Sequence, residues 1–294
     1  MLVVSEIIGN SEGIVKSMLK RNIDIKPQLE KIIELDEKRR STQASLDNLL
    51  AESNQIAKDI GKLFKEGLVE KASNLKEKAA LLKVDSKNLS ALLNSYVSEL
   101  KVLLLDIPNI PHDLVPKGSS ENDNIEILRE GEIPELHKNA LPHWELAVKY
   151  DIIDFELGNK ITGAGFPVYK DKGAKLQRAL INYFLDKNID AGYKEIQVPI
   201  LINEESGTGT GQLPDKEGQM YLVNEDNLYL APTAEVPVTN IYRNSILNSN
   251  QLPICLTSYT PCFRREAGSY GSHVRGLNRL HQFDKVELVR IENP

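Results

Sequence analysis

The most informative part of the sequence is the stretch SYTPCFRREAGSYGSHVRGLNRLHQFDKVELV, residues 258–289. Apolar and β-prone residues lie at both of its ends, and three glycines among small polar residues fill its middle. This pattern predicts two strands joined by a flexible loop, because aromatic and β-branched runs favour strands and glycine-rich polar segments favour turns. We therefore expect a long antiparallel hairpin here.

One face of the predicted hairpin concentrates charge. Side chains alternate along a strand, so Arg264 and Glu266 share a face of the first strand. The same alternation places Phe283, Lys285 and Glu287 together on the second strand. Burying these charged side chains is costly unless a ligand pairs with the charges that remain. The alternative interpretation is an exposed hairpin whose charges are solvated. A nucleotide suits this face, because arginine binds phosphate through a planar fork, Phe283 can stack on a base and Glu266 can accept from an amine.

The residue pattern of this stretch resembles motif 2 of class II aminoacyl-tRNA synthetases, in the form found in seryl-tRNA synthetases. The matching segments are Phe263-Arg-x-Glu266, the glycine-rich loop, and Arg279-x-His-Gln-Phe-x-Lys-Val-Glu287. The resemblance extends over most of the chain. It implies an α+β fold in which a long antiparallel coiled-coil arm precedes a class II catalytic domain on an antiparallel sheet, incomplete at its C-terminal end.

The bulk composition fits a soluble globular protein, since 41% of the 294 residues are hydrophobic and 27% are charged. A net charge of −6 argues against a sequence-independent nucleic-acid coat, although a local basic patch can still bind RNA. The two cysteines, Cys255 and Cys262, form neither a metal-ligand pattern nor a disulfide framework, and we expect both to be buried. The first ten residues lack the basic flank of a signal peptide and no apolar run reaches membrane-spanning length, so we expect a cytoplasmic protein without a membrane contact.

Residues 1–107 are expected to form the helical arm. Apolar residues repeat with steps of four and three, which predicts two heptad seams on two long antiparallel helices with a turn near Gly67. The first predicted seam is Leu46, Leu50, Ser53, Ala57, Ile60 and Phe64. The second is Leu75, Ala79, Leu82, Ser86, Leu89, Leu93, Tyr96, Leu100 and Leu103. Such a hairpin reaches roughly 50 Å at about 1.5 Å of rise per residue.

By charge alone the arm is no electrostatic trap for RNA, because residues 27–107 carry 13 basic and 13 acidic side chains. A dimerisation or scaffolding coiled coil is the alternative interpretation. Seryl-tRNA synthetases carry an N-terminal coiled-coil arm that grips the long variable arm of their tRNA, and the resemblance implies the same role here. The available phosphate contacts are Lys38, Arg39, Arg40, Lys58, Lys62, Lys76, Lys78 and Lys83.

Residues 108–124 are rich in Pro, Gly, Ser and Asn and are assigned as a linker to a catalytic domain over residues 125–294. In that domain, an apolar helical pattern over residues 173–185 is followed by a strand pattern over residues 193–199 that ends in proline. Periodicity alone allows an ordinary core helix and strand. Helix, strand and proline also resemble motif 1 of class II synthetases, which implies a homodimer interface.

Residues 204–220 hold four glycines without the lysine of a P-loop, and we expect a mobile loop near the site. An apolar strand from Leu228 then delivers Thr233 and Glu235 at its end, followed by a helix. A Thr-Ala-Glu triplet alone is a weak signal, since it is common at helix N-termini. Between the glycine-rich segment and motif 2, it resembles the serine-binding signature of the family.

The resemblance implies amino-acid activation, in which the carboxylate of serine attacks the α-phosphate of ATP and pyrophosphate leaves. Because the reaction joins two anions, positioning and charge stabilisation carry most of the catalysis. Arg264 is implied as the catalytic residue that holds both the serine carboxylate and the α-phosphate. The implied ATP-binding residues are Arg264, Glu266, Arg279 and Phe283, with Glu266 on the adenine amino group and Phe283 stacked on the ring.

Serine is implied to bind to Thr233, Glu235, Arg264 and Glu287, because carboxylates suit an ammonium group and a hydroxyl donor. In the second step, a terminal ribose hydroxyl of tRNA(Ser) attacks the seryl adenylate, and tRNA(Sec) is implied as a second acceptor. Arg275, in the loop over residues 267–278, is the expected contact to the acceptor end. Mg²⁺ is expected on the phosphates of ATP, and no residue of this chain is assigned as a metal ligand.

One departure from the family pattern concerns motif 3, which carries an arginine for the distal phosphates. The chain reaches Pro294 just after motif 2, and no segment matches the third motif. We therefore expect a piece of a longer chain that is inactive by itself; serine-dependent pyrophosphate exchange by residues 1–294 would contradict this. The alternatives are a paralogue that activates an amino acid for a non-tRNA acceptor and a non-catalytic RNA-binding coiled-coil protein. Prolyl or threonyl specificity is a further alternative, against which the arm and the Thr-Ala-Glu triplet argue.

Overall fold

The computed structural model describes residues 2–266 and 275–293. Contacts within the chain divide it into two compact units, Met1–Glu132 and Ile133–Pro294. The expected limits of the arm, the linker and the catalytic domain stay a prediction. None of the helices in the described ranges is long and apolar enough to cross a membrane.

Three helices dominate the first unit: α1 (Val4–Met18), α2 (Lys26–Lys65) and α3 (Val69–Asp106). Pro27 lies in the first turn of α2, where its missing N–H costs no hydrogen bond. Gly67 adopts a φ of 75° in the turn between α2 and α3, a conformation that glycine takes without strain. The two long helices pack antiparallel, which confirms the predicted helical hairpin.

The seam of α2 differs from the predicted one at every second position. The positions predicted correctly, which are buried or half-buried, are Leu46, Ser53 and Ile60. The positions predicted wrongly, which are exposed, are Leu50, Ala57 and Phe64. The preceding residues take their places in the seam: Leu49, Ile56 and Leu63. The predicted seam of α3 is buried or half-buried throughout and is confirmed.

An apolar core at the base of the helical hairpin joins all three helices. Its buried side chains include Ile7, Ile14, Met18, Leu29, Ile32, Leu35, Leu100 and Leu104. Burying one such side chain contributes about 1.5–3 kcal/mol, so apolar burial holds α1 on the hairpin. Nearby, Asp36 is buried, and Arg39 and Arg40 pair with its two carboxylate oxygens at 2.7 and 2.9 Å. Two of the expected phosphate contacts are therefore engaged within the arm.

The second unit contains the remaining α-helices and all the strands of the described residues. Its helices are α4 (His143–Lys149), α5 (Phe155–Ile161), α6 (Asp171–Asp190), α7 (Glu204–Gly209) and α8 (Glu235–Asn240). Its short strands are β1 (Ile153–Asp154), β2 (Val168–Tyr169), β3 (Lys194–Glu195), β4 (Leu201–Ile202), β5 (Leu222–Val223) and β6 (Leu228–Leu230). The two long strands are β7 (Ile254–Phe263) and β8 (Gln282–Ile291).

The long strands form the hairpin predicted from the sequence. β7 and β8 pair antiparallel over their whole length, from Ile254 opposite Ile291 to Phe263 opposite Gln282. β3 adds to the other edge of β7 in parallel, and β4, β6 and β5 form a separate antiparallel sheet. The predicted α+β architecture is confirmed, with one parallel pairing in an otherwise antiparallel set of sheets.

Side-chain caps start two short helices of the second unit, one of which lies in a segment predicted to be a loop. Between α5, which ends at Ile161, and α6, the chain forms only the two-residue strand β2. The Asp154 side chain accepts a hydrogen bond from the first turn of α5 and so stabilises its start. Within the expected loop over residues 204–220, Asn203 caps α7 in the same way.

Candidate active site

The candidate site lies on one face of the β7–β8 hairpin, which we call the site face, the side that carries Arg264 and Glu287. The strand register places Ser258 opposite Glu287 and Cys262 opposite Phe283. Small side chains form the floor of this face, and three of them are buried: Ser258, Thr260 and Cys262. Burial raises the pKa of the Cys262 thiol, which therefore stays protonated and acts as a small apolar group. Cys255 is only half-buried, so the expectation that both cysteines are buried holds for Cys262 alone.

Thr233, Lys285 and Glu287 form a hydrogen-bonded group at one end of the site face. The Thr233 hydroxyl donates to Glu287 Oε2 at 2.5 Å, and Lys285 Nζ lies 2.7 Å from the same oxygen. Burial by itself raises the pKa of Glu287, but the hydrogen bonds from Lys285 and Thr233 outweigh burial and leave this pKa below its usual value. Glu287 is therefore a carboxylate at neutral pH.

Glu235 stands apart from this group. It is the first residue of α8, and its main-chain N–H donates to the Thr233 hydroxyl oxygen at 3.4 Å. Its side chain is exposed, and among residues 2–266 and 275–293 the carboxylate has no hydrogen-bonded or ion-paired partner. Such a carboxylate can accept hydrogen bonds from a ligand ammonium group.

Arg264 follows β7 directly and is oriented by two contacts. Its Cζ lies 5.2 Å from the centroid of the Phe283 ring, and its Nε donates to the carbonyl of Pro232 at 3.4 Å. The charge of Arg264 also contributes to the low pKa of Glu287, so the two side chains are close enough to interact. A guanidinium held through Nε keeps its two terminal nitrogens for an anion, which it can bind bidentately.

Glu266 and Arg279 pair with each other at the far end of the site face. Arg279 donates to Glu266 Oε2 at 2.7 Å, and the Glu266 side chain is 14% exposed. Glu266 has a φ of 47°, in a region that non-glycine residues seldom occupy, so surrounding contacts hold it there. The sequence assigned both residues to ATP but did not predict that they bind each other.

A cavity of about 690 Å³ adjoins this ion pair. Arg275 and Trp144 both line it, and the Arg275 Cζ lies 5.6 Å from the Trp144 ring centroid. Beyond Arg275, the N–H of Leu277 donates to His143 Nε2 at 2.8 Å, which ties this part of the chain to α4. Of the loop expected to contact the acceptor end, residues 267–274 lie outside the described residues.

Contacts that were not predicted from the sequence hold the loop end of the hairpin at His281. Its carbonyl accepts from the N–H of Arg264, and its own N–H donates to Gly165, both at 2.9 Å. Its ring stacks on Phe166, and its Nδ1 lies 2.9 Å from the Tyr221 hydroxyl. Strand alternation alone places His281 on the site face and was an available signal. No sequence signal marks Phe166 or Tyr221, because both come from distant segments.

The site face therefore combines groups for binding a zwitterion beside a polyanion. Cations near Phe283 suit phosphate and carboxylate groups, and the two acidic side chains near Thr233 suit an ammonium group and a hydroxyl. In the described part of the chain, no three His, Cys, Asp or Glu side chains cluster so that they could hold a metal ion.

Two family models match the chain. The seryl-tRNA synthetase N-terminal domain matches residues 1–111, and the tRNA synthetase class II core domain (G, H, P, S and T) matches residues 221–294. The serine–tRNA ligases of Salinibacter ruber and Hydrogenobaculum sp. are 44% and 43% identical to this chain. Each alignment covers all of this chain and 69% of the relative. This chain belongs to the seryl-tRNA synthetase family.

Solved seryl-tRNA synthetases share the fold of this family member. The enzyme from Pyrococcus horikoshii, complexed with ATP, has a TM-score of 0.80 at 29% identity over 98% of this chain and 69% of that one. The cytoplasmic serine–tRNA ligase from Naegleria fowleri, in complex with AMP, has a TM-score of 0.75 at 26% identity over 98% and 66% of the two chains. Membership in the seryl-tRNA synthetase family confirms the resemblance found in the sequence, whereas the roles of individual site residues stay predictions.

Proposed function

We propose that this chain carries the serine-activating site of a serine–tRNA ligase. The site joins L-serine to ATP as seryl adenylate, and the seryl group then passes to tRNA(Ser) and to tRNA(Sec). Family membership supports the reaction, since the relatives are named serine–tRNA ligases. The ATP complex of the Pyrococcus horikoshii relative supports ATP as the nucleotide.

The observation that carries this proposal is the position of Arg264 and Phe283 beside the Thr233–Lys285–Glu287 group. Arg264 binds the serine carboxylate and the α-phosphate together, so it screens the repulsion between them and stabilises the charge that develops as the bond forms. The Thr233 hydroxyl hydrogen is donated to Glu287, and its oxygen, which accepts from the main-chain N–H of Glu235, has a second lone pair that can accept from serine. Glu235 and Glu287 supply the acceptors for the ammonium and hydroxyl groups.

ATP takes the other part of the site face in this proposal. The adenine ring stacks on Phe283, and its amino group donates to Glu266. The ion pair with Arg279 uses only Oε2 of Glu266, so Oε1 can accept from adenine. Arg279 thus holds the carboxylate in place and adds positive charge near the nucleotide. Mg²⁺ would enter with ATP as the counter-ion of its phosphates.

The arm and Arg275 contact the tRNA in this proposal. Arg275 lies against Trp144, and a guanidinium on an aromatic ring can bind a phosphate while staying oriented. On the arm, some expected contacts already have partners, since Lys78 pairs with Glu52 and Lys38 pairs with Glu34. Exposed lysines without a described partner remain for the phosphates: Lys58, Lys62 and Lys83.

A homodimer through α6 and a cytoplasmic location complete the proposal. α6 presents an apolar stripe to solvent in the single chain, whose members are Leu176, Leu180, Tyr183 and Phe184. A stripe at this helical spacing is expected to be covered by another apolar surface. The cytoplasmic location follows from the tRNA substrates.

The proposal is tested by ATP–pyrophosphate exchange with the complete reading frame that encodes this chain, with serine, threonine, alanine and proline supplied separately. We expect exchange with serine alone. A pocket that hydrogen-bonds a hydroxyl rejects alanine by about 10⁴-fold, and threonine must instead be excluded sterically. Exchange with another amino acid would keep the fold and overturn the substrate. A folded protein without any exchange would favour the non-catalytic RNA-binding alternative.

A matched pair of variants tests the role of Arg264 in the same assay. Arg264→Lys loses the planar fork and the contact with Phe283, and we expect the exchange rate to fall about 100-fold. Arg290→Lys is the control, because Arg290 pairs with Glu292 outside the site. Equal rates in the two variants would remove Arg264 from the catalytic role.

A further inference from the structure

The hairpin has a second face, opposite the site face, and a hydrogen-bond chain crosses it. Thr257 lies on that face of β7 and has no solvent exposure. Asn188, on α6, donates its side-chain amide to the Thr257 hydroxyl oxygen at 2.9 Å. The Thr257 hydroxyl in turn donates to the main-chain carbonyl of Glu287 at 3.0 Å.

The donors and acceptors of this series of hydrogen bonds have a fixed order. A threonine hydroxyl carries one hydrogen and can also accept. Because the Asn188 amide supplies the hydrogen bond that the oxygen accepts, the hydroxyl hydrogen is left for the carbonyl of Glu287. The three groups therefore orient one another, and the order cannot be reversed without placing two acceptors together.

Glu287 is consequently held from both faces of the sheet. On the site face, Thr233 and Lys285 bind its carboxylate. On the opposite face, Thr257 binds its carbonyl, whose carbon is bonded to the same Cα that carries the side chain. A shift of this carbonyl moves the origin of the carboxylate and its distance from any ligand.

We propose that Thr257 and Asn188 are positioning residues for the serine pocket: they set the position of Glu287 and thereby determine the affinity for serine. The inference rests on the proposed function, because it assigns no contact with substrate to either residue. Catalytic and binding groups work within about 0.5 Å of their productive position, so a small shift of Glu287 is sufficient to weaken serine binding. We expect ATP affinity to change little, since Glu287 is assigned no contact with the nucleotide and the Glu266–Arg279 pair lies at the far end of the site face.

Tyr259 offers a matched control for this proposal. Tyr259 lies two residues after Thr257 on the same face of β7, and its hydroxyl donates to Asp284 at 2.6 Å. Gln177 on α6 also donates to Asp284. Asp284 therefore joins α6 to the hairpin, and Tyr259 donates a hydroxyl hydrogen to β8 much as Thr257 does, but to a residue outside the serine pocket.

The experiment measures KM for serine, KM for ATP and kcat in pyrophosphate exchange by the complete reading frame. In Thr257→Val, which keeps the shape and loses the hydroxyl, we expect KM for serine to rise about tenfold while the other two constants change by less than about twofold. Thr257→Ser keeps the hydroxyl and should restore KM for serine. Tyr259→Phe should leave all three constants within about twofold.

A lower melting temperature of Thr257→Val with an unchanged KM for serine would overturn the proposal, because the hydroxyl would then be structural only. Equal rises in KM for serine and for ATP would overturn it too. Asn188→Asp supplies an independent test if Thr257→Val does not fold: aspartate competes for the single hydroxyl hydrogen, so KM for serine should again rise alone. Absence of serine-dependent exchange in the unmutated protein would refute the proposed function instead, so the two failures are distinguishable.

Discussion

At Glu287, hydrogen bonds determine both the charge of the carboxylate and its position. Lys285 and Thr233 hold the ionised form, and they do so in spite of partial burial, which disfavours it. The result is an acceptor that stays charged at neutral pH and faces the place where a ligand ammonium or hydroxyl would bind. Arg264 is oriented in a similar way by a carbonyl and an aromatic ring.

The low pKa of Glu287 predicts a pH dependence of stability. Because the folded-state pKa lies below the usual 4.5, ionisation of Glu287 stabilises the folded chain above that value, and the contribution is lost as the pH falls through the folded-state pKa. The stability difference between the unmutated chain and Glu287→Gln should therefore be constant from pH 8 to about pH 5 and shrink below it. Urea unfolding across this range measures the difference.

Lys285→Met is the control for this pH experiment. It removes the hydrogen bond that lowers the Glu287 pKa most, so the loss of stability should begin at a higher pH. A stability difference that grows as the pH falls would contradict the assignment of a low pKa to Glu287.

Among the elements, the helical hairpin depends most on side-chain packing. Its base is a three-helix core, whereas its outer part is a two-helix seam of buried and half-buried residues. The β7–β8 hairpin depends instead on a continuous ladder and on contacts at its ends, where His281 bridges Arg264 and Gly165. A single core substitution should therefore lower the stability of the arm more at its base than at its middle.

Ile32→Ala tests this expectation for the arm. Ile32 has no solvent exposure and belongs to the core shared by α1, α2 and α3. Removing its side chain leaves a cavity and should lower the free energy of unfolding by about 2–5 kcal/mol. Leu81→Ala is the control, because Leu81 on α3 is 68% exposed and should change stability by less than about 0.5 kcal/mol. Denaturant unfolding monitored by helical circular dichroism gives both values, and equal losses would argue against a core at the base.

At the scale of the whole molecule, the chain consists of two compact units, and the proposed function uses both. The first contains the helical arm, and the second contains the site face. The second also exposes the apolar stripe of α6, with Phe184 49% exposed and Tyr183 55% exposed in the single chain. The face of α6 towards the hairpin carries Asn188, so one helix would serve the proposed dimer interface and the proposed serine pocket.

Phe184→Glu tests the proposed dimer. A buried charge without a partner in an apolar interface is strongly unfavourable, so the variant should be monomeric where the unmutated protein is dimeric. Sedimentation equilibrium of the complete reading frame measures the mass. Asp186→Ala, an exposed change on the same helix, should remain dimeric. A dimer that persists in Phe184→Glu would place the interface elsewhere.

Much of the fold could be predicted because its signals are local. The β7–β8 hairpin could be predicted from strand propensity and from the positions of the glycines. The alternation of side chains along each strand then predicted which residues of that strand share a face with Arg264 and with Glu287. The two long helices follow from apolar periodicity without an intervening proline. Family membership was likewise predictable, since motif residues such as Glu266 are adjacent or nearly so in the sequence.

The remainder depends on tertiary structure, because it joins segments that are distant in the chain. In the α2 seam, the sequence left open whether each step of four residues precedes or follows a step of three. Adjacent apolar residues occur at 49–50, 56–57 and 63–64, and only packing against α3 selects one of each pair. The pairing of Arg279 with Glu266 and the contact of Arg275 with Trp144 required the loop and α4 to meet. The link from Asn188 through Thr257 to Glu287 spans three elements. Residue types and faces were therefore local properties of the sequence, whereas the partner of each polar group was determined by how the elements pack.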